Sequence, residues 1–121
     1  MMIYDLIVVG GGPAGLFGAI CCVKAGLSVL LIEGQAQLGR KLLASGSGQC
    51  NITNKETVKE MITHYGDKKN FVKKALNAFS PDDLMVYLRE QGMDVEIMDN
   101  GKVFPITRKA SDVLNLSLIH I

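Results

Sequence analysis

The stretch YDLIVVGGGPAGLFGAICCVKAGLSVLLIE, residues 4–33, decides the fold of this chain. Its first part, Ile3 to Val9, is aliphatic and largely β-branched without alternation. Such a run suits a strand of a parallel sheet covered on both faces. Three glycines break it at Gly10-Gly11-Gly12, and Pro13-Ala14-Gly15 follows. Gly10 permits a tight turn, Gly12 lets a phosphate approach the backbone, and Gly15 lets a helix pack close to the strand. Pro13 falls in the first turn of that helix, where its missing N–H costs nothing. Ala14 to Ala25 places Leu16, Ala19, Ile20 and Val23 at roughly helical spacing, and Gly26 stops the helix. Val29 to Ile32 reads as a second buried parallel strand, closed by Glu33, 18 residues after Gly15. Strand, glycine turn, helix, strand and acid together form a dinucleotide-binding fingerprint, with the pyrophosphate at the helix N-terminus.

A carboxylate at Glu33 can accept both hydroxyls of an adenosine ribose and repels a 2′-phosphate. NADP is therefore disfavoured at this turn, while FAD and NAD both remain open. Beyond it, Gly34 to Gly39 is polar, and Arg40 and Lys41 stand where they can reach phosphate oxygens. A second glycine-rich loop, Ser45-Gly46-Ser47-Gly48-Gln49-Cys50-Asn51, comes next. By composition it is either a solvated surface loop or a close approach to a ligand.

The totals set limits. With 121 residues, 48% of them apolar, the chain is one domain or part of one and can bury a core. A net charge of +1 points to neither a nucleic-acid surface nor an acidic tail. Cys21, Cys22 and Cys50 form no CxxC pair, which fits free thiols in a reducing cytoplasm. Cys50 reads either as a redox-active thiol or as a buried structural one, and His64 and His120 have no motif partners. No metal site and no catalytic acid–base pair is legible. The first apolar run is too short for a membrane span, which takes roughly 18 or more apolar residues.

The remainder predicts helices and one hairpin. Thr53-Asn54-Lys55-Glu56 fits a capping box opening a short helix. Asp67 caps a helix through Phe79, with Phe71, Val72, Ala75, Leu76 and Phe79 on one face and Lys68, Lys69, Lys73 and Lys74 partly opposite. Those lysines are a solvated face or a basic patch for a partner. Ser80-Pro81-Asp82-Asp83 opens another helix, with Leu84, Tyr87 and Leu88 inward and Gly92 at its end. Asn100-Gly101 signals a hairpin between 95–98 and 102–104. A last helix spans Lys109–Leu116.

The strings YDLIVVGGGPAG (4–15), LIE (31–33), GRKLLASGSGQCNITN (39–54) and GKVFPITRKASDV (101–113) resemble the aminoacetone-oxidase-like family of bacterial flavoproteins, NAD(P)/FAD-dependent oxidoreductases that include a bile-acid reductase. Members usually carry a glycine triplet and Arg before the Cys-Asn pair, where this chain reads Ser-Gly-Ser-Gly-Gln. The resemblance implies an α/β fold: a Rossmann-like FAD-binding βαβ unit with its flavin-side loop (1–54), then a mainly helical segment with a β-hairpin (55–121), together an incomplete three-layer domain. It places Gly10, Gly12, Pro13, Ala14 and Gly15 at the pyrophosphate and Glu33 at the ribose. Arg40, Lys41 and the loop with Ser45, Gly46, Gly48, Cys50 and Asn51 would lie along the FAD, where loop N–H groups could stabilise charge on the reduced flavin. The activity implied is redox at the flavin, with NAD(P)H or oxygen as the other partner and a small-molecule substrate. No nucleic acid or membrane partner is expected, and the oligomeric state is open. The alternatives are an NAD-binding dehydrogenase domain, an RNA-associated or other nucleotide-binding module without catalysis, and a non-functional fragment.

Family members are much longer, and Ser117-Leu118-Ile119-His120-Ile121 departs from their continuation. LSLIHI resembles the translated adapter tail of a truncated reading frame. The expectation is an N-terminal piece whose natural sequence ends near Asn115, marginally stable and holding FAD weakly on its own.

Overall fold

A computed structural model describes residues 1–119. His120 and Ile121, to which the lone-histidine and tail readings partly apply, lie outside the described residues. Among the described residues two compact units form: residues 1–50 with 107–119, and residues 51–106.

In the first unit, β1 (Leu6–Val9) and β2 (Val29–Ile32) pair in parallel, Leu6 opposite Val29 through Val9 opposite Ile32. The helix α1 (Pro13–Lys24) crosses between them and ends at Ala25, with Gly26 in the left-handed region at φ +85°. The parallel pair is clasped at its start. The Asp5 carboxylate accepts from Ser28 N–H (2.8 Å) and Ser28 Oγ (2.7 Å), and Ser28 O accepts from Asp5 N–H (3.0 Å). At its far end Gly10 N–H donates to Ile32 O at 2.7 Å.

The short α2 (Arg40–Ala44) leads into the Ser45–Gly48 turn. The last helix, α6 in chain order (Ala110–Ile119), returns to this unit and packs on α1 and α2. Leu16, Ala19 and Ile20 of α1, Leu42 of α2 and Ala110, Val113 and Leu114 of α6 supply its buried apolar side chains. The helix expected over Lys109–Leu116 thus begins one residue later and runs on through Ile119.

In the second unit, β3 (Thr53–Asn54), β4 (Val95–Ile97) and β5 (Lys102–Pro105) make an antiparallel sheet with β5 in the middle. The hairpin signal holds, in a three-residue form. Asp99, Asn100 and Gly101 connect the strands, Gly101 N–H donates to Met98 O (2.8 Å), and Gly101 takes φ +82°. The helices α3 (Val58–Thr63), α4 (Lys69–Ala78) and α5 (Pro81–Glu90) lie between β3 and β4 in sequence. Ser80 and Asp83 cap α5 reciprocally, and α5 buries Pro81, Met85 and Leu88, with Leu84 and Tyr87 half-buried.

Four expectations are corrected. First, neither β1 nor β2 is buried as expected: Ile7 is 56%, Val9 82% and Ile32 46% exposed, and no residue of β2 is fully buried. The sheet of this unit has only two strands, so one helix cannot shield both surfaces. Second, Thr53 opens no helix. It pairs with Val103 in β3, and the capping box is the next Thr-x-x-Glu, Thr57 to Glu60. Thr57 Oγ1 accepts from Glu60 N–H (3.2 Å), and the Glu60 carboxylate accepts from Thr57 N–H (2.9 Å). Both patterns satisfy the same local rule; pairing of the 52–55 backbone with β5 decides between them. Third, Asp67 caps nothing: it sits in a 3-10 turn, and α4 starts at Lys69 without a side-chain cap. Fourth, Phe71, Ala75 and Phe79 do not share the inner face of α4, which ends at Ala78. Val72 and Leu76 are half-buried, whereas Phe71 is 87% exposed and Ala75 and Phe79 are exposed too.

The two threonines make a discriminating pair. Thr57→Ala should remove about 1 kcal/mol and speed amide hydrogen exchange across α3. Thr53→Ala should leave α3 exchange unchanged.

Candidate functional site

The glycine turn forms where the sequence places it. Gly10 takes φ +105°, outside the range other residues adopt readily. A Cβ on Gly15 would overlap the carbonyl oxygen of Gly10 and press on Val8, so α1 can approach β1 only with glycine there. Gly12 is the N-cap of α1, with extended backbone and no side-chain cap. A Cβ there would meet nothing within 4 Å. The first amides of α1 therefore have no intrahelical acceptor, and their approach is open. Pro13 and Ala14 are exposed on the first turn. This is the arrangement that suits an anion at a helix N-terminus.

Glu33 reaches this turn directly. Its Oε2 accepts from Gly11 N–H and its Oε1 from Gln35 N–H, both at 2.8 Å. These two amides, Gly11 first, hold the carboxyl below the ordinary glutamate value. Each carboxylate oxygen retains lone-pair capacity for a further donor such as a hydroxyl. Gly11 is the residue that sequence reasoning passed over. It is buried, its carbonyl accepts from Gly39 N–H (2.8 Å), and a Cβ there would overlap the side chain of Leu38. Its signal was present in the unbroken triplet Gly10-Gly11-Gly12, of which the motif uses only the outer two.

Arg40 leans back along the loop, donating to Gln35 Oε1 at 3.0 Å, and adds a small favourable charge effect at Glu33. Lys41 is exposed on α2. Gly39, at φ +67°, is buried under Leu114 of α6, so α2 is held close to the turn.

The second loop has a strained backbone. Gly46 and Ser47 both lie in the left-handed region at φ 56°, and Gly48 at φ 85°. Ser45 Oγ donates to Leu42 O (2.8 Å), Gln49 N–H to Gly46 O (3.1 Å) and Cys50 N–H to Ser45 O (2.9 Å). Two of the loop amides are thus engaged within the loop. Cys50, at φ 60°, is 4% exposed, and burial pushes its thiol up. A buried protonated thiol is inert, which favours the structural reading over the redox one. Asn51 is exposed and belongs to the second unit.

Arg108 was also passed over. It takes φ 54° and donates to Gln49 Oε1 at 3.2 Å. The three non-glycine residues with positive φ among those described are Ser47, Cys50 and Arg108, and all are in or tied to this loop. Such outliers persist only where the surroundings enforce them, and they concentrate at ligand sites. No group of three or more His, Cys, Asp or Glu among the described residues could hold a metal. No helix among them is long and apolar enough to cross a membrane.

The depressed pKa of Glu33 fixes a pH dependence. A lowered folded-state value means stability that is present above the ordinary glutamate value, about 4.3, and lost as pH falls through the folded value. Glu33→Gln should flatten the acid limb of a thermal-melt series below about pH 4.5. An unchanged limb would show that the Gly11 and Gln35 bonds contribute nothing. Gly15→Ala should destabilise the first unit outright, by roughly 1–3 kcal/mol, through overpacking.

Comparison with known proteins follows the same outline. The model of the HI0933-like protein Rossmann domain matches residues 4–121. A ribosomal RNA dihydrouridine synthase of Haemophilus influenzae is 37% identical over 99 residues, covering 81% of this chain and 24% of that protein. The Escherichia coli protein of the same name is 34% identical over 101 residues, with 84% and 25% covered. A 3-dehydro-bile acid delta(4,6)-reductase of Clostridium scindens is 26% identical over 111 residues, with 90% and 26% covered. The chain spans about a quarter of the length of these relatives. With a parallel βαβ unit, an open glycine turn and an acid at the end of β2 beneath that match, the chain belongs to the HI0933-like Rossmann-domain family of FAD-binding oxidoreductases.

Proposed function

We propose that this chain binds the ADP part of FAD in a flavin-dependent oxidoreductase. The observation that carries the reading is the uncapped N-terminus of α1, open at Gly12, with the Glu33 carboxylate fixed one residue away at Gly11. The residues fit the group. Amides of the first α1 turn receive the pyrophosphate. The lone pairs Glu33 retains accept ribose hydroxyls, and its charge repels a 2′-phosphate. Arg40 and Lys41 supply positive charge beside that path. The Ser45–Cys50 loop lies toward the flavin, held in shape by Arg108 and Gln49. FAD supplies two-electron redox chemistry when bound, and the protein positions and tunes it. NAD(P)H is the electron donor we favour over oxygen, since six of the relatives are named as reductases and two of those as ferredoxin–NADP reductases.

A second reading concerns the substrate. The two ribosomal RNA dihydrouridine synthases are 37% and 34% identical, against 26% for the bile-acid reductase. That order favours an RNA uridine over a bile acid as what the whole protein reduces, while a digeranylgeranylglycerophospholipid reductase, 34% identical over 104 residues, stands level with the second synthase. The chain itself, at about a quarter of those lengths, is expected to be inactive.

The cofactor reading is tested with ADP-ribose and its 2′-phosphorylated form by calorimetry on the chain. ADP-ribose should bind and the 2′-phosphate form should not. Glu33→Ala should weaken ADP-ribose roughly tenfold, the worth of one charge-assisted hydrogen bond. Equal binding of both probes, or a product of the whole reading frame without a flavin absorbance band, would sink the proposal.

A further inference from the structure

The Ser45–Cys50 loop offers a ligand less backbone than its glycines promise. The N–H groups of Gln49 and Cys50 are engaged within the loop, by Gly46 O and Ser45 O. Beside them stands one polar side chain. Gln49 is exposed, between Gly48 at φ 85° and Cys50 at φ 60°. Its Oε1 accepts from Arg108 Nη1 at 3.2 Å. An arginine has five donors and no acceptor, so the amide has to turn its oxygen toward it and its NH2 group away. Among the described residues that NH2 group has no partner. A cation on the oxygen polarises the amide and makes its N–H groups stronger donors. Arg108 is itself half-buried and takes φ 54°, a conformation that favours glycine. An arginine held there against its backbone preference, with its side chain on Gln49, is the kind of outlier from which a functional inference starts.

We propose that the Gln49 NH2 group donates to the pyrimidine edge of the flavin ring, with Arg108 as the positioning residue that aims and polarises it. The proposal rests on the FAD reading above and names a contact at its flavin end. Gly39 is bonded to the glycine turn through Gly11 O, and the five residues of α2 separate it from the loop. At 1.5 Å per residue the loop begins about 7–8 Å further on. The α1 amides account for the pyrophosphate, and Glu33, bonded to the turn itself, accounts for the adenosine ribose. The part of FAD left to reach the loop is the flavin. Oxidised flavin takes up a hydride, two electrons and one proton, at N5 and is left with one negative charge on its N1–C2=O edge. A neutral amide donor with a cation behind it matches an acceptor that gains charge on reduction. The ring also displaces the water that reaches this pair in its absence, which strengthens both bonds.

The test measures the midpoint potential of the bound flavin in the product of the whole reading frame, by equilibration with a reference dye. Gln49→Leu, close in size but without donors, should lower the potential by about 30 mV, a tenfold loss of preference for the reduced flavin. Arg108→Ala should lower it in the same direction and by no more. Added to Gln49→Leu, Arg108→Ala should change nothing further, because its effect passes through the amide. The Cys50 thiol, buried in the same loop, reports whether the loop keeps its fold. Its rate of maleimide labelling, read by mass spectrometry, should stay at the wild-type value in Gln49→Leu. Calorimetry with ADP-ribose should give each variant wild-type affinity; a drop there would put the pair at the glycine turn and not at the ring. A wild-type potential in Gln49→Leu would remove the contact while FAD binding stands. A further fall in the double variant would place the Arg108 charge on the flavin directly and overturn its positioning role. Faster labelling of Cys50 alongside a shifted potential would make the pair a support for loop folding and overturn the donor role. If the product of the whole reading frame carries no flavin, the FAD reading and this contact fail together.

Discussion

The first unit depends on one carboxylate holding two amides. Glu33 closes the end of β2 onto Gly11, in the turn after β1, and onto Gln35, in its own following loop. Everything nearby is arranged around that join. Gly39 donates to the carbonyl of Gly11, Leu38 fills the space where a Gly11 side chain would be, and Leu114 covers Gly39. The acid is therefore part of the turn's architecture whether or not it also receives a ribose. A charge placed beside a helix N-terminus is favourable by itself, so the turn and its acid support each other.

The second loop is held by different means. Its left-handed residues at Gly46, Ser47 and Cys50 are tied by short-range amide bonds, by the burial of Cys50, and by Arg108 arriving from far along the sequence. No single contact here is strong. The Arg108–Gln49 bond, at 3.2 Å, joins a half-buried arginine to an exposed glutamine that water can also reach. Shape is maintained by several modest constraints acting together, which is the circumstance in which strained φ values survive.

Much of this was legible in the sequence because its causes are local. Gly10, Gly15, Pro13 and Gly26 behave as the fingerprint and helix-stop rules require, and Ser80 with Asp83 caps α5 as read. The hairpin at Asn100-Gly101 was legible for the same reason. The misreadings have causes that are not local. Thr53 and Thr57 offer identical capping patterns, and only pairing with β5, some fifty residues away, separates them. Phe71 belongs by spacing to an apolar arc of α4, but how far the helix turns toward its neighbours is set by packing. Arg108 lies in the 101–113 string that carries the resemblance, but nothing local in that string points to its bond to Gln49 across 59 residues. At the turn, the conformations of Gly10 and Gly15 were foreseeable; the packing of Gly11 on Leu38 and the Arg108–Gln49 bond needed three dimensions.

The parallel pair of strands is fastened at both ends: by Asp5 and Ser28 where it begins, and by Gly10, Ile32, Gly11 and Glu33 where it finishes. Four residue pairs lie between these fastenings. A slip of one position would break both sets of bonds at once and reverse the outlook of every side chain. The pair thus works as a ruler of fixed length. It sets the offset between the helix amides and the acid before any ligand arrives. A ligand that engages both the helix amides and the acid then meets a spacing that needs no ordering on association, which is the condition for binding without a large entropic loss.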